Sequence, residues 1–247
     1  MLSGAGLGIW LRNFLPEDHI SGDSKETLRT TSGLLATLVA LILGLLVSSA
    51  KSSFDATNTT IMNAGAEIIS LDHILSRYGP EAKDVRQELR QGVAALVKRI
   101  WPSETVNVKD SDSFGGETVK GMESTNYVGP QDVILKLSPK NDTQRFFKSE
   151  ALQVGEQIQQ SRWMFIEQLQ NPIPVGFLIV MTFWLASLFV SFGLLAPQNR
   201  TMIVALFFAA ISMAAAVFLI FELNSPLEGI IKVSNAPMQK ALEVIAK

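Results

Sequence analysis

The sequence predicts an all-α integral membrane protein: three transmembrane helices, a short N-terminal apolar segment, and a large extramembrane helical bundle inserted between spans. Two observations carry this. Of 247 residues, 47% are apolar and only 18% charged, where a soluble domain has about 25% charged. The apolar residues also gather in long uncharged runs instead of spreading evenly.

A spanning helix needs roughly 20 mainly apolar residues to cross about 30 Å of hydrocarbon. Residues 33–50 carry no charge, and the flanking charges are Arg29 and Lys51. Residues 174–196 and 201–221 are likewise uncharged. The rest of the chain has too little apolar material to wrap three such helices inside a soluble core. Residues 1–32 form an N-terminal segment and polar connector. Met1–Leu15 is apolar, too short to span, and contains Arg12. It reads as an interfacial anchor or as part of a fourth span, with Trp10 and Arg12 suited to a membrane boundary. Gly4, Gly6 and Gly8 read as small-residue packing, because no strand precedes them.

Pro197–Arg200 leaves almost no loop between the last two spans, so they form an antiparallel hairpin. The connector before the first span then lies on one side, and residues 51–173 with the tail 222–247 lie on the other. Lysine and arginine are too evenly divided between the two sides to orient the chain.

Residues 51–173 read as a helical bundle. Phe54, Ile61, Ile68, Leu71 and Leu75 continue an apolar stripe beyond the first span, with no breaker until Gly79-Pro80. A second helix over 81–100 presents Val85, Leu89, Val93, Leu96 and Ile100. Residues 103–129 read as a loop rich in Ser, Gly, Asp and Thr. A short helix follows over 130–137. Asn141 or Asp142 then caps a long helix to Gln170, with Phe146, Phe147, Leu152, Ile158, Phe165, Ile166 and Leu169 on its apolar side. In the tail, Met238, Leu242, Val244 and Ile245 form a stripe that fits either the membrane surface or the bundle.

The candidate functional residues lie along the first span. Ser32, Ala36, Ala40, Gly44, Ser48 and Ser52 recur every fourth residue. Such a stripe fits a packing seam, within one chain or between copies, or the lining of a pore for water and small ions. Lys51, Asp55 and Glu222 stand at the mouths of the spans and would repeat as charged rings in a symmetric oligomer. No ionisable side chain lies within the apolar runs, which argues against a proton relay.

The sequence offers nothing for catalysis, a cofactor or a metal. There are no cysteines and only two histidines, His19 and His73. No phosphate loop, dinucleotide fingerprint or nucleophile elbow is present. Asp72 and His73 adjoin, but neighbours on a helix point apart. A net charge of −2 without a basic run gives no footprint for nucleic acid.

Several segments together resemble the bacterial bestrophin-like proteins. These are Leu15–Ser21, Asp23-Ser24-Lys25, Gly33–Leu38, Ala50–Asp55, Leu71-Asp72, Tyr78–Glu81, Ser225-Pro226-Leu227 and Ser234–Pro237. The resemblance implies four spans with a helical insertion between the second and third; in this chain Met1 falls where the first span would be half complete. By analogy with bestrophin channels it implies a homo-oligomer in a bacterial inner membrane, with the bundle cytoplasmic. The expected function is therefore channel-like passage of small ions across the lipid bilayer. The alternative is a non-catalytic accessory or scaffold subunit packed against other membrane protein subunits.

Overall fold

The computed structural model describes residues 4, 6–8, 10, 11, 22–101, 129–170, 175–195, 199–227 and 229–246, and all regular structure among them is helical. We number the helices α1 (Gly22–Tyr78), α2 (Lys83–Ile100), α3 (Pro130–Leu135), α4 (Asp142–Gln170), α5 (Val175–Leu195), α6 (Arg200–Leu223) and α7 (Ala236–Ile245). The chain divides into two compact units. One comprises Met1–Ser52 with Pro172–Asn224, the other Ser53–Asn171 with Ser225–Lys247.

The 57-residue α1 runs through both. No proline interrupts it, and in its polar stretch the threonine hydroxyls find acceptors one turn back. Thr57 Oγ1 donates to Ser53 O (3.1 Å), Thr59 Oγ1 to Asp55 O (2.8 Å) and Thr60 Oγ1 to Ala56 O (3.0 Å). The helix stops at Gly79, whose φ of 122° favours glycine. Pro80 then opens a 3₁₀ turn, Pro80–Ala82, so α2 starts at Lys83, two residues later than the expected Glu81.

Among the described residues, three helices are long and apolar enough to cross a membrane, Ser24–Tyr78, Gly176–Leu195 and Arg200–Leu223. The buried side of the membrane portion of α1 is Ser32, Val39, Leu43, Leu46 and Ala50. Phe189 of α5 packs on Ala210 of α6. The described N-terminal residues are helical and lie along α5. An added Cβ at Gly4 would stand 3.0 Å from Ala186 O, and one at Gly8 would overlap Val190 O and stand 3.0 Å from Gly193 Cα. Small residues on both helices let the two backbones touch. These contacts fall between Ala186 and Leu194 of α5. His19, the connector around it and the loop 103–128 lie outside the described residues.

The second unit has a conventional apolar core. Ile61, Ile68, Leu71, Leu75 and Tyr78 of α1 meet Val85, Leu89, Val93 and Ile100 of α2, Ile134 of α3, and Ile158, Phe165 and Ile166 of α4. Two polar pairs lie between α1 and α4. Gln168 Nε2 donates to Thr60 Oγ1 (3.2 Å), and Ser161 Oγ donates to the Glu67 carboxylate (3.0 and 3.1 Å). The pairs stand one heptad apart on both antiparallel helices, so a slip of either helix would break both. Asp72, buried, accepts both bonds of Arg86 (2.7 and 2.8 Å), locking α1 to α2. At the turn, Gln144 Nε2 donates to Tyr78 O and to Glu81 (both 3.4 Å). Burial, and then the Glu81 carboxylate, push the Tyr78 hydroxyl above its ordinary pKa. The Glu81 carboxyl is held low by its own backbone N–H and then by Lys140.

The tail docks on the bundle: Val233, Met238, Ala241 and Ile245 join the core, and Pro237 O stands against Gly65. Two expected core residues face outward instead. Val244 is 42% exposed and Phe146 64%, because each falls off the narrow strip its helix turns inward.

Two substitutions test this packing. Asp72→Ala strands a guanidinium and should cost about 2–4 kcal/mol, with most of it recovered in Asp72→Leu/Arg86→Met; equal thermal unfolding of Asp72→Ala and the parent would remove the pair from the account. Gly8→Leu should dislodge the N-terminal segment at about 1–3 kcal/mol. Gly6→Leu, where an added Cβ meets nothing, should leave the melting temperature unchanged.

Candidate functional site

Helical geometry decides on which side of α1 the fourfold-spaced residues fall. Four residues turn a helix by about 400°, so each step slips about 40° past a full turn. Over its five steps the series winds from one side of the helix to the other. Ser32 therefore sits on the buried side, 4% exposed, with no hydrogen-bond partner for its hydroxyl among the described residues. Ala36 is half-buried, and Ala40, Gly44, Ser48 and Ser52 are exposed. The seam that α1 uses within the chain is instead Val39, Leu43, Leu46 and Ala50.

Two strips remain exposed along the span. One consists of Gly33, Thr37, Gly44, Ser48, Lys51 and Asp55, spaced by three, four or seven residues, which keeps them at one azimuth. Its members are small, hydroxylic or, at the final turn, charged. The Thr37 hydroxyl donates to Leu34 O (2.7 Å), so it adds polarity without needing a partner from another helix. Among the described residues, an added Cβ at Gly33 or Gly44 meets nothing within 4 Å, so neither glycine is required by packing against them. Beside this strip lies a second one, Leu34, Leu38, Leu41 and Leu45, each more than half exposed. The first tolerates water or a close second helix; the second suits lipid or another apolar surface.

Lys51 and Asp55 lie one turn apart on the exposed side, both engaged in interactions. Glu222 differs: it is 8% exposed at the end of α6 and also engaged. Within a single chain it does not present its carboxylate to solvent. Gly33 and Thr37 were absent from the sequence-derived stripe. A search at the helical period of 3.6, rather than at every fourth residue, finds them.

The bundle holds an apolar cleft of about 280 Å³, lined by Ile68, Leu89, Val93, Leu96, Val133 and Ile158, with Glu88 on its wall. That carboxylate is occupied by Lys136 (2.9 Å). Among the described residues no group of three or more His, Cys, Asp or Glu could hold a metal ion.

This architecture has counterparts. Two crystal structures of a bacterial bestrophin homologue from Klebsiella pneumoniae, each with a different single mutation, superpose with TM-scores of 0.63 at 13% and 14% identity. Each match covers 98% of this chain and 96% of the other. A crystal structure of a membrane protein variant matches with the same score and coverage at 13% identity. At such identities the likeness speaks for the fold. No curated protein matches. The family model of the bestrophin-like domain aligns with residues 2–238, nearly the whole chain. The chain is an integral membrane protein that belongs to the bestrophin-like family.

Proposed function

We propose that this protein is a homo-oligomeric, channel-like membrane protein that passes small ions, with the small and hydroxylic strip of α1 turned toward a central path. The observation that carries the reading is that strip. It stays exposed for the whole membrane portion of a helix that otherwise buries Val39, Leu43, Leu46 and Ala50. Small side chains leave room between symmetry-related helices, and hydroxyls can take the place of lost hydration. The fold shared with bacterial bestrophin homologues supports the same reading. By that analogy the protein sits in the bacterial inner membrane with the bundle in the cytoplasm.

Purified protein in planar bilayers should show conductance above that of the empty membrane, and native mass spectrometry should show a closed ring of identical chains. Ser48→Leu should lower conductance at least about fivefold at unchanged copy number, whereas Leu41→Ala on the neighbouring strip should change it less than about twofold. No conductance from the parent under several ionic gradients overturns the channel reading. Unaltered flux and assembly in Ser48→Leu removes this strip from it. A single copy bound stoichiometrically to foreign subunits would make the protein an accessory component.

A further inference from the structure

We propose that the tip Gly229–Lys232, between α6 and α7, is an anchor that inserts Ile230 and Ile231 into the headgroup layer of the bilayer. Ile230 is 83% exposed and Ile231 37%, an unusual presentation for two adjacent branched aliphatic side chains. Gly229, with a φ of 88°, turns the chain immediately before them.

The base of this loop is pinned. Val233 N donates to Pro226 O (2.9 Å) and closes it. Val233 is itself 2% exposed, and its carbonyl accepts the Trp101 indole N–H (3.2 Å). The exposure of the tip therefore arises on a held base. Covalent reach fixes where that base lies. Pro226 follows Leu223, the last residue of α6, by three residues, so the two are at most about 11 Å apart. Ile230 follows Leu223 by seven residues and so lies at most about 25 Å from the end of that membrane-length helix. Lys232 follows directly and is exposed; its ammonium suits lipid phosphate while its stem lies along the acyl boundary. The tip has four residues, far too few for the roughly 1,000 Å² that a stable contact between copies needs. The bilayer surface, continuous with that around the spans, is the occupant that fits, and the anchor stands whether or not the protein conducts.

The chain has no cysteine, so single-cysteine labelling of the full-length protein is clean. Ile230→Cys and, separately, Ile231→Cys carry an environment-sensitive dye in vesicles of phosphatidylcholine and phosphatidylglycerol at about three to one. Ser138→Cys is the aqueous reference. Ser138 is exposed, and the roughly 43 Å of α4 separate its loop from the approach to α5. The expected result is quenching of both tip dyes by lipids spin-labelled near the headgroup, with at least about threefold protection from aqueous iodide relative to the Ser138 site. Iodide quenching equal to the reference, without lipid quenching, overturns the proposal. So does shielding that ignores labelled lipid but shows dye self-quenching relieved by unlabelled chains, which would assign the tip to a second copy.

Discussion

The structure depends on α1 remaining one unbroken helix from Gly22 to Tyr78. At 1.5 Å per residue its 57 residues measure roughly 85 Å, far more than a bilayer requires. The helical period then fixes which residues share a side all along it. Val39, Leu43, Leu46 and Ala50 are buried in the membrane portion, and Thr57, Ile61, Ile68, Leu71 and Leu75 in the bundle. The hydroxyls of Thr57, Thr59 and Thr60 bond to carbonyls one turn back, and the packed side of α1 outweighs their low helix propensity.

Each unit is held together by different physics. In the membrane portion there is little hydrophobic gain in leaving lipid for protein, so close approach of small residues matters, as at Gly4, Gly8 and Gly193. In the bundle, burial of aliphatic side chains drives collapse. Three polar pairs bridge its helices: Glu67 with Ser161, Thr60 with Gln168, Asp72 with Arg86. Apolar packing alone would tolerate neighbouring registers. The matched pairs do not, because a slip would leave each buried group without its partner.

Much of this was legible in the sequence because it depends on local pattern. Uncharged runs marked the spans, Gly79-Pro80 marked the end of α1, and Asn141 lies where a cap was expected, its Oδ1 accepting from Gln144 N (2.8 Å). Misplaced residues came from patterns broader than the strip that packs. Phe146 and Val244 lie beside such strips and are exposed. The fourfold-spaced stripe of α1 spreads around its helix for a related reason. Counting every fourth residue collects small side chains that a helix distributes over two sides, so Ser32 is buried while Ser52 is not.

By itself the sequence determined the class of protein, the number of long apolar spans, the helical bundle between them and the continuity of α1. Each follows from composition or from periodicity within a dozen or so residues, where the backbone's own geometry sets the outcome. Only the tertiary structure decided that Val233 packs beside Trp101 and the start of α7 beside Gly65. It alone paired Asp72 with Arg86, laid the N-terminal segment along α5, buried Glu222 and left the strip from Gly33 to Asp55 uncovered. An amphipathic pattern says that a side chain will be covered. What covers it depends on contacts between residues far apart in sequence, which no local period encodes.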